Sequence, residues 1–282
     1  MTATRIAIIG RGRLGLCLAT ALAERGETVV AASARAADAS ATVASADLVL
    51  LTVPDDAIEA VAEALPWRPG QWLVHCSGAT ELTALAAAAR AGALVGGFHP
   101  LQIFADPATA GQMLAGSSVA IEAEPPLLAE LQRLATVLGM VPLALPPGSR
   151  AAYHAAASFS ASFLLSMLDE SVRIWAAVGL PEDAALQALL PLAQGTLQAA
   201  AARGLPGALA GPISRGDVGV VAAHLQALSR LGGGRGGHGG HVGFYRELSM
   251  RQLRLARQSG RVSEAALQPI EALLRIDAFD RQ

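Results

Sequence analysis

Arg5-Ile6-Ala7-Ile8-Ile9-Gly10-Arg11-Gly12-Arg13-Leu14-Gly15 is the stretch that decides the fold. Arg5 to Ile9 is a short apolar run with no turn former, and Leu16-Cys17-Leu18-Ala19-Thr20-Ala21-Leu22-Ala23 after the glycines has the composition of a helix. Strand, glycine-rich turn and helix together give a Gly-x-Gly-x-x-Gly motif its meaning. Gly10 allows a sharp turn out of the strand, Gly12 lets a pyrophosphate approach the backbone, and Gly15 lets the helix pack closely on the sheet. The helix start adds unpaired N–H groups and a positive dipole end. Gly10, Arg11, Gly12, Arg13, Leu14 and Gly15 are therefore the expected dinucleotide cradle.

Working outward, the same alternation repeats. Thr28–Ala32, Asp47–Pro54, Gln71–Cys76, Ala93–Phe98, Ser118–Glu122 and Val141–Leu145 are expected as strands, with helices between them. The run Asp47 to Val53 is apolar on both faces, as a parallel sheet requires. Val53 and Pro54 stand at its C-terminal end, where open α/β sheets bind ligands. Asp55 or Asp56 is expected to cap a helix from Ala57 to Leu65, and Ser77 or Thr80 to start the helix that runs to Arg90. The second strand ends in Ser33-Ala34-Arg35 rather than in an acidic residue. A hydroxyl and a guanidinium suit a ribose 2′-phosphate, so the cofactor expected is NADP(H).

After Pro146-Pro147-Gly148 the alternation stops. No strand is expected from Ala151 onward, and helices are expected at about 151–178, 182–203, 216–230, 244–258 and 263–277. The expected division is a dinucleotide-binding domain at 1–148 and an all-helical substrate and dimerisation domain at 149–282. Ala151 to Leu168, with Tyr153, His154 and four serines, reads as a buried helix rather than a membrane span. The Gly/His-rich run 231–241 reads as a connector. His238 and His241 lie in it without a carboxylate or cysteine nearby in sequence, so no metal site is expected.

Composition narrows the classes. Of 282 residues 52% are hydrophobic, enough for a large core, and the net charge of −2 argues against a nucleic-acid surface. Cys17 and Cys76 are the only cysteines, which is no disulfide framework; both are expected to be reduced and buried. The chain opens in a core strand, so no signal peptide is expected and the location expected is cytoplasmic. Every basic residue is Arg; Lys is absent altogether.

The chain resembles the Rossmann-like proteins whose second half is the domain of unknown function numbered 2520. That family is related to pyrroline-5-carboxylate reductases, 6-phosphogluconate and 3-hydroxyacid dehydrogenases, and NADP reductases that use a deazaflavin. Six stretches carry the resemblance: Gly10 to Gly15; Asp47 to Asp55; His75-Cys76-Ser77-Gly78; His99-Pro100-Leu101-Gln102 with Phe104; Tyr153-His154-Ala155-Ala156-Ala157; and Leu209-Ala210-Gly211-Pro212 with Arg215-Gly216-Asp217 and His224-Leu225. It implies an N-terminal Rossmann domain with a doubly wound, mostly parallel sheet, then an all-α C-terminal domain like that of 6-phosphogluconate dehydrogenase, dimerising through that domain. Ser162 stands where the family pattern often has Asn.

The chemistry expected is hydride transfer between NADP(H) and a small carbonyl, hydroxy acid or imine. With no Lys to act as acid–base, His154 is the expected proton donor and His99 the next candidate, with Ser77 beside them at the sheet edge. Tyr153, adjacent to His154 on a helix, is expected to point elsewhere. Ser158 and Ser162, at i+4 and i+8 from His154, are expected on its face as substrate contacts. Arg215 is expected either to hold a substrate carboxylate or phosphate or to pair with Asp217 and pin its turn, and Asp217 to cap the helix containing His224. In a dimer this segment could complete the partner's cleft. Two other readings compete: a pyrroline-5-carboxylate or ketopantoate type of reductase with a non-lysine acid, and a non-catalytic NADP-binding sensor or scaffold. A small-molecule substrate and a second copy of the chain are the partners expected, with no nucleic acid and no membrane.

Overall fold

The computed structural model describes residues 4–33, 36–104, 110–231 and 240–275. The strands are β1 (Arg5–Ile9), β2 (Thr28–Ala32), β3 (Leu48–Leu51), β4 (Trp72–His75), β5 (Leu94–Pro100), β6 (Ser118–Ala123) and β7 (Val141–Ala144). They form one sheet in the order β2-β1-β3-β4-β5-β6-β7. All neighbours are parallel except β5 and β6, which run antiparallel. The expected strands are all present, and so is the mostly parallel, doubly wound arrangement.

The helices are α1 (Arg13–Glu24), α2 (Ala36–Ser45), α3 (Ile58–Ala64), α4 (Ala86–Arg90), α5 (Ala110–Leu114), α6 (Leu127–Val137), α7 (Arg150–Ser160), α8 (Ser162–Ala177), α9 (Glu182–Ala208), α10 (Val218–Leu231), α11 (Gly240–Ser259) and α12 (Glu264–Arg275). Side-chain alternation along the strands feeds two cores, one on each face of the sheet. Ile6, Ile8, Leu48, Leu50 and Phe98 pack with residues of α1, α5 and α6; Ala7, Ile9, Val49, Leu51 and Leu73 pack with residues of α2, α3 and α4. Cys17 and Cys76 are buried free thiols, as expected.

The chain divides into two compact units, Met1–Ser160 and Ala161–Gln282, so α7 groups with the sheet and not with the helical half to which the division at 148 assigned it. Among the described residues, the second unit contains no strand. Its core lies between α10, α11 and α12 and includes Val221, Leu225, Leu253, Leu267 and Ile270. In α8 no residue is buried, and in α9 only Ala185 is.

Three local expectations are corrected. The helix expected over 151–178 breaks at Ala161 (φ −120°, ψ −89°); the helix expected over 182–203 holds that far, and Gly204 (φ 68°, ψ 167°) interrupts α9 just beyond it. The stretch Arg150–Ala177, apolar and long enough by composition alone to cross a membrane, is not the buried helix expected: apart from Arg150, none of its residues is buried within the single chain. Asp55 and Asp56 do not cap α3. They lie in a 3-10 turn that precedes it, and no side chain bonds the helix start.

Candidate active site

The glycine turn is built as its sequence requires. Gly10 has φ 122°, open to glycine at little cost, and its N–H donates to Ala32 O at 3.0 Å. A Cβ at Gly10 would lie 2.8 Å from Thr52, and one at Gly15 would collide with the Gly10 carbonyl. Thr52 ties the turn down: its hydroxyl donates to Gly10 O at 2.9 Å. Thr52 was not singled out from sequence, although a threonine at the end of an otherwise apolar strand is a signal in itself. Gly12 differs from its neighbours. It is the N-cap of α1, no side chain bonds that helix end, and a Cβ there would meet nothing within 4 Å. The N–H groups of the first turn thus face an open cradle, which fits a pyrophosphate. Arg11 and Arg13 beside it are exposed; Leu14 packs against the core. Val53 and Pro54 follow β3 at the same sheet edge. Ser33 is half-buried at the end of β2, and Arg35 lies outside the described residues.

A second group of polar side chains collects along β4, β5 and β6. His75 pairs in register with Gly97, and Gly97 with Glu122, so these three form one row on one face of the sheet. The Arg150 side chain, fully buried, lies over Gly97, where a Cβ would collide with it. Its Nε donates to Glu122 at 2.7 Å and its Nη1 to Ser77 O at 2.9 Å. His75 is fully buried; burial, then Arg150 and His99, push its pKa down to about 3.

His99 lies two residues beyond Gly97 on β5 and so on the same face, one row nearer the sheet's edge. Its Nδ1 is hydrogen-bonded to the Tyr153 hydroxyl at 3.0 Å. The His154 ring stands edge-on to it, with centroids 6.0 Å apart. Gly78 leaves the room for this: a Cβ there would lie 2.7 Å from His154 and 2.8 Å from His99. Burial lowers the His99 pKa to about 4, with His154 and Arg150 adding to the shift and Asp55 opposing it. His99 is therefore neutral at pH 7, able to donate from one ring nitrogen and accept at the other. Tyr153, expected to point away, instead joins His154 in bracketing His99. The two side chains diverge by about 100° around α7, and the imidazole sits between them. Burial raises the Tyr153 pKa.

The other expected site residues are placed less simply. The Ser77 hydroxyl accepts the N–H groups of Ala79 and Thr80 and donates to Thr80 Oγ1 at 2.9 Å, so it is taken up by its own turn. Ser158 donates to His154 O at 3.2 Å, back along α7. The break at Ala161 ends the periodicity that set Ser162 on the His154 face, and Ser162 is exposed at the start of α8. Arg215 is exposed and, among the described residues, makes no ion pair with Asp217, whose carboxylate instead accepts the Val220 N–H and caps α10. His241 is buried in α11 and bonded to Glu170 at 2.5 Å, a carboxylate partner that sequence distance hid; His238 lies outside the described residues. No cluster of metal-binding side chains occurs among the described residues.

Family models match two stretches: a Rossmann-like domain at residues 36–100 and a domain of unknown function, DUF2520, at residues 117–252. The chain joins a Rossmann-like domain to a DUF2520 domain. The DUF2520 segment begins at β6, so it supplies Glu122, Arg150, Tyr153 and His154, while the Rossmann-like segment supplies His75, Gly78, Gly97 and His99. The fold is similar to that of a protein from Thermotoga maritima (TM-score 0.71, 21% identity, covering 91% of this chain and 100% of that one). It is also similar to a reductive aminase from Aspergillus terreus in complex with NADPH and ethyl-5-oxohexanoate (0.58, 17%, 97% and 93%) and to the pyrroline carboxylate reductase of Plasmodium falciparum with NADP bound (0.56, 10%, 96% and 99%). No curated protein matches the sequence.

Proposed function

We propose that the protein is an NADP(H)-dependent oxidoreductase acting on a small carbonyl, hydroxy acid or imine. The observation that carries the reading is the Tyr153–His99–His154 group, held at the same sheet edge as the open glycine turn. The turn at Gly10 to Gly15 would hold the pyrophosphate, Val53 and Pro54 would flank it, and Ser33 with Arg35 would meet a 2′-phosphate. Two solved structures of this fold were obtained with NADP or NADPH, which supports that choice. NADP(H), when bound there, would supply hydride-transfer chemistry.

The chain's own task is to give a proton to the oxygen or nitrogen that gains charge. His154, the exposed imidazole of the group, is the donor in this reading. Neutral His99 stands at its edge and the Tyr153 hydroxyl behind it. One observation favours a second donor: if His99 Nδ1–H donates to the Tyr153 oxygen at 3.0 Å, the phenolic O–H is free to point at the substrate instead. Ser158 belongs to the proposal as a substrate contact, and Arg215 as one supplied by a second copy of the chain.

That second copy covers the exposed apolar residues Phe163, Leu165, Leu192, Leu197 and Leu205 of α8 and α9. A homodimer rather than a membrane is the cover proposed, and two buried free thiols fit a cytoplasmic location. The direct test is to follow NADPH consumption with a panel of small keto acids, aldehydes and cyclic imines. A substrate should be found, and His154→Gln should lower kcat roughly 10²–10⁴-fold while NADPH still binds. Full turnover by His154→Gln, with loss in Tyr153→Phe, selects the second donor. Tight NADPH binding with no turnover of any substrate overturns the oxidoreductase reading in favour of a sensor.

A further inference from the structure

Arg150 is the first residue of α7, and Tyr153 and His154 follow at i+3 and i+4, on the same side of the helix. Three anchors hold that helix start. The Glu81 carboxylate accepts the N–H groups of Gly148 and Arg150 at 3.3 and 3.2 Å. Ser77 O and the Glu122 carboxylate accept from the guanidinium. The guanidinium thus occupies the slot that Gly97 leaves, with Glu122 on one side in register and His75 on the other. Nη2 of Arg150 and both ring nitrogens of His75 are buried with no hydrogen-bond partner. A fully buried arginine with one donor unmatched is a costly choice if all that is needed is to fasten a helix. A cation directly beneath His99 is what this arrangement achieves that an apolar contact would not.

We propose that Arg150 is the positioning residue of the active site: it fixes Tyr153 and His154 against His99 and, as a buried cation one row below, adds to the burial that holds the His99 imidazole uncharged. This rests on the reading of that group as the proton-handling site, and it goes beyond it by naming a buried cation that contributes to the group's protonation. Every charged or titratable side chain around His99 fits. Arg150, Tyr153 and His154 come from α7, His75 from β4, and Asp55 from the turn after β3; Glu122 on β6 faces Arg150. Only Asp55 favours a charged His99, and it is opposed by Arg150 from below.

The test is a pH titration of the six histidine rings by NMR in the full-length, histidine-labelled protein, with the His99 signal assigned from its loss in His99→Gln. In wild type His99 should stay neutral well below pH 6. In Arg150→Met its midpoint should rise by about one pH unit or more, since a like charge has been removed. Arg150→Lys, which keeps the charge but not the fork of hydrogen bonds, should hold the midpoint near wild type. Glu122→Gln should move it the other way, because the cation loses its counter-ion. A folded Arg150→Met with an unchanged midpoint overturns the proposal. If Arg150→Met does not fold, an unchanged or raised midpoint in Glu122→Gln overturns it instead. These readouts do not involve turnover. A protein without reductase activity would still show the shifts, and an active enzyme could lack them, so the two ideas fail separately.

Discussion

Gly97→Ala measures how tightly the buried arginine is seated. The added Cβ would lie 2.6 Å from Arg150 Cζ, 0.8 Å inside the 3.4 Å at which ordinary carbon contact begins. The guanidinium is fully buried, so making room for the Cβ displaces it by at least that much. A 2.7 Å bond to Glu122 and a 2.9 Å bond to Ser77 O do not survive such a displacement. Breaking a buried ion pair costs about 3–5 kcal/mol, while Gly→Ala at an ordinary backbone position returns about 0.4–1 kcal/mol through the unfolded chain. The net expectation is a loss of roughly 2–4 kcal/mol, or about 5–15 °C in Tm for a unit of this size. Urea denaturation followed by circular dichroism reads it directly. Gly96→Ala is the control: its nearest contacts are 3.0 Å or longer, so it should be destabilised less. A Gly97→Ala protein within about 0.5 kcal/mol of wild type, the range of ordinary surface changes, would refute the placement of Arg150.

Three further outcomes are expected. The lowered pKa values of His75 (about 3) and His99 (about 4) mean that the unfolded chain binds protons below pH 6.5 that the folded chain does not, so these groups make stability fall as pH drops from 6.5 toward 4. With both histidines titrating, the slope approaches about 2.7 kcal/mol per pH unit. Asp47, held near 2 chiefly by its hydrogen bond from Arg5, adds to the loss only below its ordinary 3.8; urea melts at a series of pH values check both windows, and a flat profile from pH 7 to 5 contradicts this. Gly12→Ala meets no atom within 4 Å, so it should leave Tm nearly unchanged while weakening NADPH binding, as isothermal titration would show. Light scattering should report about twice the 28.7 kDa chain mass, and Leu192→Glu with Leu197→Glu should yield monomer; a wild-type monomer at every concentration would sink the dimer.

Much of the sheet is legible in the sequence because buried parallel strands are short, continuous apolar runs and the turns between them carry glycine. The glycine turn is legible because three glycines are needed for three different steric reasons, and the structure displays two of them as collisions and the third as open space. The site was only partly legible. His99 and His154 stood out as unusual polar residues near strand ends or on an apolar helix. Tyr153 is not legible as a partner of His99, because helical geometry alone cannot show that one imidazole fits between two diverging side chains. Arg150 was invisible for a different reason: an arginine opening a helix after Pro-Pro-Gly-Ser reads as a solvated residue. Its burial depends on Gly97 and Glu122, more than 25 residues away in sequence and adjacent only through the register of β5 and β6. The break at Ala161 has no glycine or proline to announce it. The exposure of α8 and α9 could not be read from composition, since an apolar helix looks the same whether its own chain or another covers it.

The central claim is that the glycine turn binds NADP(H), and the most direct test is a fluorescence titration of the wild-type protein with NADPH and with NADH. NADPH should bind at least about ten-fold more tightly, the scale of one charge-assisted contact to a 2′-phosphate, and Arg35→Ala should remove most of that preference. Equal affinities for the two cofactors, or no binding of either, would contradict the account.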